Sequence, residues 1–448
     1  MQMSIELGEL AVKKAIAKGA SEAEAFVQKS SRTLVEFSDE IENLKVIESL
    51  GINVRVALGK RIAMHSTSIL SEKEIKAAVD TAISIAKAAP EDPSWTHLNI
   101  EFGKTPVKGE YDKTLEAVEY SKIIETLDSA IIIMKNFDKR VKPTRGFFIA
   151  QSSEVSVANS SGGSGQRKGT NIMVWMRTKA QEAGMESTGN EHHEARFWKE
   201  IDFEGLSRRA AEKAVKFLKA KPIPSTKAPV IFTNQVFASI LGILLGPAAS
   251  ADWVQKGRSP LADKLKKDIS SSNVSVVDDG TMKGGWNTSG FDDEGYPTQT
   301  TPLIEKGVLK NYLYDSYTAL KGDAKSTGNA QRQAYWMKPQ PAATNLMLKT
   351  GDCSQDEIIA ETKRGIFIDG TIGEWLSNPV SGNLNATVSH GYMVRNGKIA
   401  EPIKGVVISG SFYDLLKNGI ELVGNDLRNS AQYYSPTVKV KELTIAGS

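Results

Sequence analysis

The sequence predicts an α+β protein: an N-terminal duplicated helix–strand domain followed by a β-rich C-terminal domain with packed helices. Three observations predict it. Helical and alternating periodicities run helix–strands–helix twice before residue 220. The stretch Lys221-Pro222-Ile223-Pro224-Ser225 then interrupts any helix, because proline lacks an N–H and biases its neighbour toward extended backbone. Beyond it, short strands and glycine-containing turns dominate. The domains are therefore drawn at 1–220 and 221–448, in keeping with two or three domains of ~100–200 residues each for a chain of 448.

In the first half, Leu7, Leu10, Val12, Ala15 and Ile16 recur at helical spacing, and Gly19 is a natural stop. Ala23–Val27 and Thr33–Phe37 alternate as strands do. Gly51–Leu58 and Arg61–His65 flank the turn Gly59-Lys60. Ser71 and Glu74 have the spacing of a capping box, and their helix stops before Pro90. A second long helix is expected over Leu115–Phe137. Strands follow at Gly146–Ala150, Glu154–Asn159, Asn171–Lys179 and Met185–Trp198, then a helix over Phe203–Lys219. In the second half, Lys306-Gly307 and Asn396-Gly397 each separate two short apolar runs. The second pair is a strong type I′ hairpin signal. Lys439–Ile445 reads as a closing strand, and the domain as a barrel or sandwich.

Composition narrows the function. Lysine and arginine number 56 against 53 acidic residues, so the net charge of +3 gives no basic stripe for nucleic acid. The single cysteine, Cys353, excludes an internal disulfide and a thiolate zinc cluster. Residues 1–10 carry Glu6 and Glu9 and do not read as a signal peptide. The longest apolar run, Val236–Ala249, falls short of the ~20 residues of a membrane span. A cytoplasmic protein without membrane or nucleic-acid partners is expected.

Four features invite chemistry. Glu191-His192-His193-Glu194 lacks the second helical histidine of a zincin and lies in a predicted strand, where adjacent histidines face opposite ways. Ser161–Thr170 has its lysine before the glycine, the wrong order for a P-loop, and reads as a mobile strand connection. Asp278-Asp279 and Asp292-Asp293-Glu294 resemble no EF-hand and read as turns. Trp286, Trp336 and Trp375 lie in irregular segments. Of these, Trp286 and Trp375 are the candidates for lining a peptide cleft, with core packing as the alternative.

The second half resembles the TldD/PmbA family, also called modulators of DNA gyrase. The match is carried by Asp278-Asp279-Gly280, Phe291-Asp292-Asp293-Glu294-Gly295-Tyr296-Pro297-Thr298, Ile304–Leu313, Ser326–Ala330, Asn378–Gly382, Ile403–Gly405, Val423–Asp426 and Leu443–Gly447. The resemblance implies a cytosolic zinc metalloprotease of two related subunits that trims or matures peptides. The TldD side carries His-Glu-x-x-x-His on a helix and a C-terminal cysteine; the TldE (PmbA) side lacks them. Asp252–Ser259 resembles the stretch after the zinc helix. Counting back, the first histidine falls at Gly242, the glutamate at Ile243 and the second histidine at Pro247, which would also disrupt a regular helix. Asn425–Ser435 contains no cysteine. The resemblance therefore implies a TldE-type subunit without catalytic or metal residues of its own. Zinc is expected in a TldD-like partner, and the substrates are unfolded or extended peptides. A stand-alone homodimeric peptide-binding module is the alternative.

Overall fold

The duplication inferred from the sequence is visible as one sheet built from two three-stranded meanders. In the computed structural model, which describes residues 2–447, the first unit is α1 (Gln2–Ala17), β1 (Glu22–Phe37), β2 (Ile41–Leu58), β3 (Arg61–Thr67) and α2 (Glu72–Ala88). The second is α3 (Lys113–Glu116), α4 (Tyr120–Phe137), β4 (Val141–Asn159), β5 (Ser164–Glu182), β6 (Met185–Ala195) and α5 (Phe203–Lys216). Strand order is β3-β2-β1-β4-β5-β6, so β1 and β4 join the meanders through an antiparallel ladder from Glu24↔Asn159 to Phe37↔Gly146. Each unit buries its own helix face. Ala11, Ala15, Ile75 and Val79 pack with Val27, Ile52 and Val54, whereas Ile123, Leu127 and Ile131 pack with Val35, Phe148 and Val174. Burying each valine, leucine, isoleucine or phenylalanine among them stabilises by roughly 1.5–3 kcal/mol.

Several boundaries differ from the sequence expectation. β1 and β4 each run unbroken where two short strands were expected, and β2 begins at Ile41, ten residues early. Polar runs such as Gln28–Arg32 continue these strands because the neighbouring ladder fixes their backbone bonds. Ser161–Thr170 is not a mobile connection: from Ser164 it is strand β5, paired residue by residue with β4. The helix expected over Leu115–Phe137 is broken at Ala117–Glu119, where partly buried Val118 packs on the core beneath α4. Ser71 does cap α2, accepting the Glu74 N–H at 3.2 Å.

The C-terminal half opens with β7 (Thr226–Phe232) and α6 (Asn234–Ala248). Its main sheet runs Arg364–Ile372, β7, Val438–Ala446, Val406–Ser411, Asn383–Arg395 and Lys398–Ile403. Arg364–Ile372 also pairs with Asn383–Arg395, which closes the first five strands into a barrel. The Asn396-Gly397 turn has φ of 50° and 74°, as a type I′ hairpin requires. A second sheet contains Thr300–Glu305, Val276–Asp279, Leu346–Leu348 and Tyr433–Ser435. α6 is the apolar run Val236–Ala249 seen in the sequence, and its burial in the C-terminal core explains its composition. The expectation that Pro247 disrupts this helix is corrected: α6 continues through Pro247 to Ala248. A proline one residue from the end removes only one terminal hydrogen bond, which the surrounding core outweighs.

Buried ion pairs join the two halves. Arg55 on β2 donates to Glu24 on β1 and to Glu294 of the C-terminal half, each at 2.8 Å. Arg332 pairs with Glu24 from the other side and stands 4.7 Å from the Phe26 ring centre. The acidic run Asp292-Asp293-Glu294 is thus a buried joint between the halves. Asp293 meets Arg167, and Asp292 accepts the N–H groups of Glu294, Tyr296 and Ala330.

Candidate functional site

The largest cavity, about 840 Å³, lies in the seam between the two halves. One wall is the β5–β6 face with α5, including Trp175, Glu191, His192 and Lys213. The other is the start of α6, the strand end Phe367–Thr371 and the segment Asp426–Ser430. The i, i+4 spacing of Arg209 and Lys213 on α5 sets both beside Glu191, while His192, one residue on, points to the other face of β6 toward Gln235.

Lys213 is the electrostatic centre. Its ammonium lies 2.7 Å from Glu191 and 2.9 Å from Asp369 of the C-terminal half. Burial alone would lower its proton affinity, but the two carboxylates hold it protonated. Burial opposes the charge of Glu191, yet Lys213 and Arg209 together hold its carboxyl below the usual range. Burial pushes Asp369 up, outweighing Lys213 and the weaker pull of Lys216. Burial also raises Glu194, although the Ala431 N–H donates to it. Arg428 has one hydrogen bond here, from Nη2 to the His192 carbonyl at 3.5 Å. Asp426 fastens the C-terminal segment to α6, accepting from Thr437 N at 2.8 Å and Asn234 Nδ2 at 3.1 Å.

Burial drops His192 to about 4, so its ring is neutral at pH 7, with Nε2 3.3 Å from Gln235 Nε2. His193, on the opposite strand face, also falls to about 4 through burial. Their sequence neighbours do not complete a metal site: among the described residues no group of three or more His, Cys, Asp or Glu is arranged to hold an ion. In the cavity the imidazole meets an amide rather than a hydroxyl or thiol, so its hydrogen bonds offer no activated nucleophile. The cavity supplies both signs of charge and aromatic surface for binding an extended polar chain.

Because the folded-state pKa of His192 lies below its unfolded value near 6.5, the unfolded chain binds the extra proton and stability falls as pH drops through this interval. His192→Gln is expected to reduce the stability lost between pH 7 and pH 5.5 by about 1 kcal/mol. Urea denaturation at the two pH values checks this. An unchanged difference would mean that His192 is protonated in the fold.

Gly242 and Ile243 lie mid-way along α6 and Pro247 at its end. Gly242 faces Tyr433: a Cβ there would stand 2.4 Å from the ring, and one at Gly246 would stand 2.8 Å from its hydroxyl. Ile243 packs against the C-terminal core. Trp286 is half-buried, and its backbone N–H donates to the Tyr434 hydroxyl at 2.8 Å. Trp375 is 63% exposed on the segment whose Glu374 reaches the large cavity. Neither tryptophan lines that cavity; Trp175 does. The Glu191–Lys213–Asp369 group escaped sequence reading, because Asp369 is remote in the chain and Lys213 reads as part of a solvated helix face.

The fold is two α/β units and a closed barrel, with a polar cleft at their seam. Residues 23–86, 113–218 and 225–447 match, in order, the models of PmbA/TldA metallopeptidase domain 1, central domain and C-terminal domain. The chain belongs to the PmbA/TldD family. An uncharacterized protein of Methanocaldococcus jannaschii is 36% identical over 241 residues, 54% of this chain and 56% of that protein, so the match spans about half of either. The metalloprotease PmbA homolog of Haemophilus influenzae is 25% identical over 98% of this chain and 95% of its own length. In fold, the chain is similar to the crystal structure of TldE from Thermococcus kodakarensis, with a TM-score of 0.91 and 24% identity over 98% of this chain and all of that one. Among the described residues no helix is long and apolar enough to cross a membrane.

Proposed function

We propose that the chain is a TldE (PmbA)-type subunit of a TldD/TldE-type zinc metalloprotease acting on peptides in the cytoplasm. The reading rests above all on the helix face where the resemblance puts zinc. Catalytic zinc takes about three protein ligands and leaves a place for water. The corresponding positions here are Gly242, Ile243 and Pro247, none of which carries a ligating group, and the Tyr433 ring covers Gly242. These residues do not fit the metal, so no hydrolytic step is assigned to this chain. Zinc and its general base belong to a TldD-like partner. This chain contributes the charged wall around Lys213, Asp369 and Arg428, where a peptide's main chain and charged side chains bind.

The test is a peptidase assay of the chain alone with zinc, and then with a cognate TldD-like chain. The expected result is no cleavage alone and at least tenfold more cleavage in the mixture than with the partner by itself. Cleavage by the isolated chain, or a mixture no more active than the partner, overturns the proposal. A stable homodimer that binds peptides and ignores the partner would favour the stand-alone binding module.

A further inference from the structure

A second cavity, of about 210 Å³, lies between the sheet and the C-terminal loops. Phe26 and Gln28 of β1, Gln151 and Ser153 of β4, and Arg167 and Asn171 of β5 alternate onto the sheet face that forms its floor. Three arginines border it, Arg167, Arg196 and Arg332, against two carboxylates, Asp292 and Asp293; Lys168 also lies on the border but pairs with Glu116 and Glu154, each at 3.7 Å.

Both carboxylates are already engaged. Asp292 accepts three backbone N–H groups, and burial beside Glu294 raises its proton affinity. Asp293 binds Arg167 and accepts the backbone N–H of Arg332 at 2.6 Å. The cations retain capacity. Arg332 donates Nη2 to Glu24 and Nη1 to the Met337 carbonyl, while its buried Nε has no partner. The buried Nε of Arg167 also has none. Arg196 is 4% exposed and donates only to carbonyls, those of Gly285, Glu110, Thr170 and Thr288. Among the described residues it has no carboxylate within ion-pair distance. Carbonyl dipoles accept from its N–H groups but leave its net charge uncompensated, and an unpaired buried charge is costly.

We propose that this cavity binds one small oxyanion, inorganic phosphate or a carboxylate, using the partly exposed guanidinium of Arg167 and the buried charges of Arg196 and Arg332. An anion there would bridge the two halves and stabilise the folded chain by mass action. The half-buried rim at Gln28, Gln151 and Asn171 gives it a way in. The inference rests on residues other than those of the proposed zinc-partner function and stands or falls separately.

The experiment is calorimetric titration of the full chain with inorganic phosphate and, separately, with acetate, at constant ionic strength held by chloride. Saturable binding of one anion per chain is expected, and the stronger of the two titrants identifies the ligand type. Gln28→Glu and Gln151→Glu each add a negative charge to the wall without removing an ion pair. Each is expected to weaken binding at least tenfold, with a melting temperature in the absence of the anion no lower than the parent's, because the new carboxylate offsets part of the uncompensated charge. Arg196 is unsuitable for the test, because its bonds to backbone carbonyls tie two loops to β5. The proposal is overturned if neither anion gives a saturable heat, if both variants bind as the parent does, or if a crystal grown with the tighter anion shows only water in the cavity.

Discussion

Arg55→Met is expected to destabilise the chain by about 3–5 kcal/mol at pH 7.5. Arg55 is buried between two carboxylates that are themselves 1% exposed, Glu24 and Glu294. Its removal affects them unequally. Glu24 keeps Arg332. Glu294 keeps the Ser316 N–H at 2.9 Å but loses its cation while Asp292 and Asp315 remain near. In the parent, Arg55 outweighs burial and holds Glu294 below the usual carboxylate range. Without Arg55 the same burial raises the folded-state pKa, so Glu294 must either ionise unpaired or bind a proton. The folded variant then binds more protons than the unfolded chain, and its destabilisation shrinks as pH falls. Urea denaturation at pH 7.5 and pH 5 reads both effects. Adding Glu294→Gln to the variant should recover at least 1 kcal/mol, because the orphaned charge is gone. A loss below 1 kcal/mol at pH 7.5, or one that grows toward pH 5, would show that the halves are not held this way.

This joint also shows where sequence reading reaches its limit. The alternation of Ala23, Ala25 and Val27, the helical spacing of Leu7 to Ile16 and the Asn-Gly turn report local backbone preference, and each is found in the fold. Both copies of the helix–strands–helix unit were legible for that reason. The full lengths of β1, β4 and β5 were not. Stretches such as Gln28–Arg32 and Ser164–Gly169 are strands only because a neighbour supplies the ladder. The site was less legible still. Glu24 and Glu294 meet through Arg55 across 270 positions, and Lys213 and Asp369 across 156. Burial of a charge has no local signature: Asp292-Asp293-Glu294 has the composition of an exposed turn and the environment of a core. The motif positions Gly242, Ile243 and Pro247 were legible through resemblance alone, and the packing of Tyr433 on Gly242 required coordinates.

That packing makes Gly242 a position where helix propensity and tertiary structure give opposite signs. In an unobstructed helix interior, Gly→Ala stabilises by about 1 kcal/mol, because alanine loses less backbone entropy. In α6 the new methyl group would sit 2.4 Å from Tyr433 Cδ2. The ring cannot shift freely, since Tyr433 belongs to a strand paired with Leu346 and packs against the C-terminal core. Either the clash persists, at roughly 1–3 kcal/mol, or the ring leaves and forfeits a comparable amount of burial. Gly242→Ala is therefore expected to destabilise by about 2 kcal/mol net, and Gly242→His, which restores the first family ligand type, by about 3 kcal/mol. Tyr433→Ala costs stability by itself but removes the obstacle, so Gly242→Ala added to it should be neutral or stabilising, a coupling of at least 2 kcal/mol. Denaturant titrations of the four proteins complete the cycle. If Gly242→Ala stabilises the parent chain, space for a side chain exists on that helix face. The exclusion of ligands there would then rest only on which residues the sequence places at 242, 243 and 247, and restoring the histidines and glutamate would suffice to test for zinc. If the coupling is found, those substitutions alone cannot rebuild a metal site, because the volume a ligand would need is already occupied by the Tyr433 ring.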